Sequence, residues 1–308
     1  MKVSFIIPLY NCLAHTRACL RTLRASLPRG LAHEIILVDD GSTDGTREWL
    51  AQECRDLVVI LNEQNLGYAG ANNRAAGQAT GDLLVLLNND LLFAPGWIEP
   101  MLALHARLSR PGLIGNMQFD ARTRALDHCG ICFDHKGKPA HDRSFPLPAL
   151  LVPGHRLATA VTGACMLVRT DLWRRLGGFD EGFRNGGEDI DLCLRAQQAG
   201  CINAVALRSN VRHHISASPG RKLHDEQNSR RLTQRWRQEI AMLSTRAWGW
   251  HFLSTRWGRS NEPLEIGAAL GVLLYCLHLK STPPAIVTKG IGEALDHELA
   301  RWDRLLGP

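Results

Sequence analysis

The chain has 308 residues, enough for one large domain or two small ones with a substantial core. Apolar residues make up 45% and charged residues 21%, an ordinary globular balance that excludes disordered or collagen-like classes. A formal net charge of +6 suits anionic partners but is too modest to indicate nucleic acid.

In chain order, short apolar runs alternate with helix-patterned stretches. "VSFIIP" (3–8), "EIILVDD" (34–40), "LVVIL" (57–61) and "LLVLLN" (83–88) read as strands. Between them, "AHTRACLRTLRASL", "DGTREWLAQEC" and "GYAGANNRAAGQA" carry helical apolar spacing. The alternation predicts βαβ units, and hence an α/β fold with a mostly parallel central sheet flanked by helices. "PGWIEPMLALHARL" (95–108) adds a helix opened by proline. Residues 119–158, rich in Gly, Pro, His and charge, predict a hairpin and long loops. "TAVTGACMLVRT" (159–170) returns to strand character, "DLWRRLGG" reads as a short helix, and "GEDIDLCLRAQQAG" reads as a helix ended by Gly200. "CINAVAL" and "NVRHH" read as late strands.

From about Lys222 the chain reads as helical, basic and tryptophan-rich. Leu232, Trp236, Ile240 and Leu243 fall on one helical stripe, expected to pack on the preceding domain or on a second copy in a homodimer. Arg230, Arg231, Arg235 and Arg237 lie largely off that stripe and read as solvated. Trp248, Trp250, Phe252 and Trp257, interleaved with arginines, suit the interface of an anionic membrane. No run reaches the roughly 18 apolar residues of a membrane span. The nearest approach, "IGAALGVLLYCL" (266–277), reads as a buried helix.

The nine cysteines are scattered, and the opening "MKVSFIIPLYN" has no signal-peptide pattern, so they read as reduced thiols of a cytosolic protein. Cys129 and Cys132 form a lone CxxC; with no second ligand pair, they read as neighbours on a hairpin rather than a zinc site.

The chemistry concentrates at strand ends, where open α/β sheets bind ligands. Asp39 and Asp40 close the second strand, and ionised oxygens buried there need donors or cations, such as the N–H of a nucleobase. Asn65 precedes the third helix, which begins near Gly67, and Asn73 falls within it; for Asn73 a surface position and a ligand role are equally open. Asn88, Asn89 and Asp90 end the fourth apolar run. Divalent cations are held by one or two carboxylates plus substrate phosphates, which suits Asp90, with a late histidine from "VRHHIS" (His213 or His214) completing the set. Glu188, Asp189 and Asp191 form the densest acidic cluster. Helix-dipole stabilisation accounts for Glu188 and Asp191; a general base needs a carboxylate presented at such a mouth.

Taken together, "SFIIPLYN", "VDDGSTDGT", "NLGYAGANNRA", "TGDLLVLLNND", "TGACMLVRTDLWRRLGGFDEGF", "EDIDLCLRAQQAG" and "VRHH" resemble the glycosyltransferase family 2 enzymes, across about two-thirds of the chain. Within that family they are similar to bacterial rhamnosyltransferases and other makers of cell-surface polysaccharide. The resemblance implies a GT-A fold over 1–220, with a nucleotide-binding half to about residue 118 and an acceptor half from about 119, then a helical region over 221–308. It implies Pro8 and Tyr10 in the nucleotide pocket, Asp40 on the base, and Asn73 and Asn89 near the nucleotide. Asp90 and His213 would hold Mg²⁺ or Mn²⁺, His213 matching the motif better than His214. Gly163 would form a wall, Asp180 and Glu181 would face donor sugar or acceptor, and Asp189, beside Glu188, would be the base. The implied partners are a UDP- or dTDP-linked sugar and a glycan or lipid-linked glycan, met on the cytoplasmic side with peripheral membrane contact. Two departures stand out: Asn88 and Asn89 replace acids found in other branches, and "RNGG" precedes the Glu-Asp pair where many relatives carry aromatics. A sugar nucleotidyltransferase would share such a sheet but needs a glycine-rich basic loop after the first strand, which "PLYNCLAHTR" lacks. A catalytically silent binding module is the remaining alternative, disfavoured by the retained acids.

Overall fold

The computed structural model describes residues 1–144, 154–214, 221–256 and 266–307. The chain divides into two compact units, one of residues 1–131 and 141–224, the other of 132–140 and 225–308.

The first unit is a sheet sandwiched by helices. Strands β1 (Val3–Leu9), β2 (His33–Asp39), β3 (Val58–Leu61) and β4 (Leu83–Leu87) run parallel in the order β3-β2-β1-β4. They are linked by α1 (Leu13–Ser26), α2 (Thr46–Glu53) and α3 (Gly67–Gln78). The chain builds outward from β1 to β3 and then returns to the other side of β1. That reversal creates a switch point where β1 and β4 end side by side. All five residues of β4 are buried, as an interior parallel strand requires.

Beyond β4 the sheet becomes mixed. The short β5 (Leu91–Leu92) and α4 (Glu99–Arg107) follow, then β6 (Pro111–Asp120), β7 (Leu126–His128), β10 (His155–Leu157) and β11 (Cys165–Arg169), while β8 (Ile131–Phe133) and β9 (Pro139–His141) form a separate two-stranded sheet. After α5 (Thr170–Leu176) and α6 (Glu188–Gln198), β12 (Ile202–His213) completes the sheet. Strand β11 lies antiparallel to β4, with Cys165 opposite Leu87, so the start of β11 adjoins the end of β4. Strands β6 and β12 are parallel to each other. The core packs Phe5, Ile7, Val85, Leu87, Ile114 and Leu167 of the sheet against Leu20 and Leu23 of α1 and Met101 and Leu104 of α4. Small residues Ala69, Ala71, Ala75 and Ala76 give α3 a close-packing face on the sheet.

Several expectations change. The α4 helix begins at Glu99, with Pro100 rather than Pro95 in its first turn. Strand β6 was not legible as a strand, because Pro111, Gly112, Gly115, Asn116 and Gln118 interrupt its apolar pattern. The two late strands are one continuous strand, β12. Residues 145–153 of the predicted loop region, and Trp257, lie outside the described residues. None of the nine cysteines is in a disulfide; Cys129 and Cys132 each donate to a backbone carbonyl, those of Ser144 and Ala140.

The second unit packs α7 (Asp225–Arg256), α8 (Ile266–Cys276) and α9 (Ala285–Leu306) together. Leu232, Trp236 and Ile240 are buried as predicted, but Leu243 is exposed. Trp236 has non-helical backbone angles, and the buried stripe continues by steps of four to Ser244. The stripe's partner is α9 of the same unit. The arginines are paired rather than merely solvated: Arg230 meets Asp303 at 2.6 Å and Arg237 meets Asp296 at 2.5 Å. Trp248 and Phe252 stack at 5.5 Å against the α8 cluster, which leaves Trp250 as the outward-facing tryptophan among them. One face of α8 is buried, through Ala269, Val272, Tyr275 and Cys276, while Leu270 and Leu277 are exposed. No helix of the described residues is long and apolar enough to cross a membrane.

Candidate active site

The loops leaving β1 and β2 are stitched together. Asn11 donates its N–H to Ser42 Oγ at 2.8 Å and accepts from Thr43 N at 2.8 Å. Asp44 accepts from Leu13 N at the start of α1 and from Thr46 at the start of α2, so one carboxylate serves two helices. Burial alone would raise its pKa, but these bonds outweigh it and hold Asp44 below the usual range. Asn11 and Cys12 are both left-handed, at φ 55° and 61°, a costly conformation for non-glycine residues that ligand loops commonly hold. Pro8 is half-buried beneath this turn and Tyr10 is 46% exposed, its ring open to a ligand.

The two aspartates at the end of β2 serve different ends. Asp39 is fully buried and takes Arg47 Nε at 2.7 Å. Asp40 accepts from Asn62 Nδ2 and Leu66 N through Oδ1, and from Gly67 N through Oδ2, at 2.7–2.9 Å. A carboxylate offers about four lone-pair directions. Asp40 therefore anchors the start of α3 and keeps one lone-pair direction, on Oδ2, open. Asn62, which lies outside the sequence motifs, is the hub here: its Oδ1 also accepts from Arg74 at 2.6 Å.

At the end of β4, Asp90 and His213 come together, with His213 Nε2 3.1 Å from Asp90 Oδ1 and both residues buried. Despite this proximity neither atom makes a hydrogen bond. Two adjacent ligands of an octahedral cation at about 2.1 Å would lie about 3 Å apart, so the pair fits a divalent ion that takes its remaining ligands from phosphates and water. His214 is tied to the same place by its backbone N–H, which donates to Asp90 O at 3.1 Å, while its ring packs on His15 at 4.6 Å. Asn89 turns toward α1 and donates to Thr16 Oγ1 at 2.9 Å, bracing the strand end.

The opposite wall is built at the start of β11. Asn88 N donates to Ala164 O, and the preceding Gly163 N donates to Asp189 Oδ2 at 2.8 Å. Asp189 Oδ1 accepts from Ile190 N at 2.8 Å. Asp189 is thus locked in place at the first turn of α6, half-exposed, with a lone pair left on each oxygen. A side chain at Gly163 would press on the Tyr68 ring and hydroxyl, at 3.1–3.2 Å. Tyr68 donates its hydroxyl to Gly163 O at 2.7 Å; burial, then Glu188 and Asp189, push its pKa well up, so it remains a donor. Glu188 is buried and accepts from Gly186 N at 2.7 Å, which makes it a brace for the loop before α6.

Asn73 reaches the "GGFDE" loop: Nδ2 donates to Phe179 O and Glu181 Oε1, and Oδ1 accepts from Phe179 N. Asp180 accepts from Gly182 N within the same turn. Arg195, paired with buried Asp191, donates to Leu176 O and Gly178 O, holding that loop from below. The i,i+4 spacing of Asp191 and Arg195 was the available signal for this brace.

This geometry agrees with the comparisons. Residues 4–142 match the Glycosyl transferase family 2 model, and residues 151–279 match that of Glycosyl transferase family group 2, together most of the chain. The chain belongs to glycosyltransferase family 2. Relatives include an O-antigen biosynthesis protein of Myxococcus xanthus, 31% identical across 70% of this chain and 18% of the relative. An N-acetylglucosaminyl-diphospho-decaprenol L-rhamnosyltransferase of Mycobacterium tuberculosis is 27% identical across 80% of this chain and 86% of its own. The chain spans 28% or less of the length of the first curated relatives it matches. Among solved structures, GalNAc-T7 with UDP, GalNAc and Mn²⁺ superposes with TM-score 0.62 at 18% identity, over 82% of this chain and 52% of that one. The fold of this family 2 chain is therefore GT-A, with helices following the catalytic sheet.

Proposed function

We propose that the chain transfers a sugar from a nucleoside-diphosphate donor, UDP- or dTDP-linked, to a hydroxyl of a glycan or lipid-linked glycan, with inversion at the anomeric carbon. The observation that carries this reading is the pair of walls at one sheet edge. Asp90 and His213 face each other without a hydrogen bond at the end of β4, and Asp189 is locked on Gly163 beside it. A divalent ion held by Asp90 and His213 would neutralise charge building on the leaving diphosphate. Asp40 and the Asn11–Ser42 turn would orient the nucleoside, with Tyr10 against it. Asp189 would accept the acceptor hydroxyl's proton as that oxygen attacks the anomeric carbon from the face opposite the diphosphate, which requires inversion. The mycobacterial relative's name specifies a diphospho-decaprenol acceptor, which supports a role in surface-polysaccharide assembly at the cytoplasmic face of a membrane.

The test is donor hydrolysis and nucleotide binding by the purified chain. Hydrolysis should be abolished by chelation. Asp90→Ala should weaken nucleotide binding when Mn²⁺ is present and leave it unchanged in EDTA, because the coupling runs through the cation. Equal weakening with and without metal would make Asp90 a direct nucleotide contact and remove the metal from the mechanism.

A further inference from the structure

Behind the metal pair lies a row of buried polar atoms without hydrogen bonds: Gln118 Oε1, His128 Nδ1 and His213 Nδ1. Asn116, Gln118 and His128 are 0% exposed and His213 is 2% exposed. Each such atom left unpaired costs about 1–3 kcal/mol, so a cluster of them calls for an explanation.

The strand register puts these residues on one face. Asn116 and Gln118 alternate along β6, and Gln118 stands opposite His128 of β7. On the other side, Gln118 is level with Val211 of β12, and His213 follows two residues on, on the same face. Directly opposed side chains lie about 5 Å apart at Cβ, and long side chains also reach the diagonal neighbour.

The chemical types are complementary. His128 Nε2 accepts from Gly130 N at 3.2 Å and Thr162 N at 3.4 Å, so its ring proton sits on Nδ1. Burial keeps that ring neutral. His213 turns Nε2 toward Asp90, and a cation bound there requires the proton on Nδ1. Gln118 donates its amide to Asn116 Oδ1 at 3.4 Å, which leaves Oε1, with two lone pairs, as an unspent acceptor between two donors.

We propose that Gln118 is a positioning residue: when a cation engages His213 Nε2, Gln118 Oε1 takes up the Nδ1–H groups of His128 and His213, bonds that this structure does not make, and holds Nε2 toward the ion. The inference rests on reading Asp90 and His213 as the metal pair. It links the two walls of the site: Gly163 holds Asp189, the adjacent Thr162 N–H holds His128, and His128 and His213 share Gln118. Ligating histidines are oriented by such an acceptor on the second ring nitrogen, and its loss typically weakens metal binding about 10–100-fold.

Two measurements test this. With Mg²⁺ and UDP bound at alkaline pH, ¹⁵N NMR of the imidazoles should show His213 and His128 as Nδ1–H tautomers; an Nε2–H tautomer at His213 under these conditions overturns the proposal without any variant. Mn²⁺ affinity in the presence of UDP, read by electron paramagnetic resonance of free Mn²⁺, should fall about 10–100-fold in Gln118→Leu. Gln118→Glu, which keeps an acceptor oxygen, should recover most of it, and nucleotide binding in EDTA should be the same for all three. Wild-type affinity in Gln118→Leu, or no recovery in Gln118→Glu, overturns the role of Gln118 alone. A wild-type protein that binds no Mn²⁺ overturns the metal reading together with it.

Discussion

The carboxylate of Asp189 accepts from two backbone N–H groups, one across the site and one within its own helix. An asparagine there can accept only through its single oxygen, so one N–H would face an NH₂ group. Asp189→Asn should slow sugar transfer by roughly 10²- to 10⁴-fold while nucleotide affinity stays close to wild type. Near wild-type turnover in a steady-state assay would remove Asp189 from the mechanism and direct attention to Glu188. Two other acids control the acid limb of stability. Glu34 has its pKa lowered to about 2: burial opposes ionisation, but hydrogen bonds from Ser4, Lys2 and Thr80 outweigh it. Asp127 is likewise lowered to about 2, burial being outweighed by His141 and Arg143. Both pKa values are depressed on folding, so their stabilisation is fully present above the ordinary carboxylate range near ~4 and is lost as pH falls toward ~2. Melting temperature should drop across that window, and Glu34→Gln should make the drop shallower. An unchanged acid limb in the variant would mean that Glu34 contributes nothing to it.

At the scale of elements, the strand ends on which the motifs sit were legible, but β6 was not. Its glycines answer to neighbours distant in sequence: a Cβ at Gly115 would lie 2.7 Å from Val161 Cβ, and one at Gly112 2.4 Å from Asn203 Oδ1. Its buried Asn116 and Gln118 contradict the apolar alternation by which a strand is read. Such local conflicts concentrate where a fold serves function. Gly115→Ala should therefore destabilise the first unit by about 1–3 kcal/mol, measured by urea unfolding. An unaltered midpoint would show that β6 and the 158–164 segment can separate at little cost. The α7 stripe failed for another reason. Its buried positions run on by steps of four from Leu232 to Ser244 rather than closing with a step of three, so Leu243 turns outward.

At the scale of the molecule, the sheet unit contains every residue assigned to the site, and the helical unit has a core of its own. That second unit exposes Trp250, Leu277, Leu279 and Ile286, with Lys280 and Lys289 also at its surface. Apolar tips beside lysines suit an anionic lipid interface, so the membrane expectation moves from Trp248, which is partly buried against the α8 cluster, to these residues. The protein should cosediment with anionic liposomes at low salt and be released by high salt. Trp250→Ala with Leu279→Ala should abolish the binding while the melting temperature is kept. Equal recovery on neutral and anionic vesicles would remove the electrostatic part of this account.

By itself the sequence determined the α/β class, the family, and which strand ends carry chemistry, because those signals are local: apolar runs of strand length, turn residues and acids at fixed spacing. It also paired Asp90 with His213 through the family motif, although 123 positions separate them along the chain. Only the tertiary structure decided how acids of similar appearance divide their work. Asp40 anchors a helix and keeps one lone-pair direction, Glu188 braces a loop, and Asp189 stands half-exposed on a wall made by another segment. The reason is physical. A carboxylate's role depends on which donors reach it and how much water remains, and both are set by neighbours that the chain brings together only on folding.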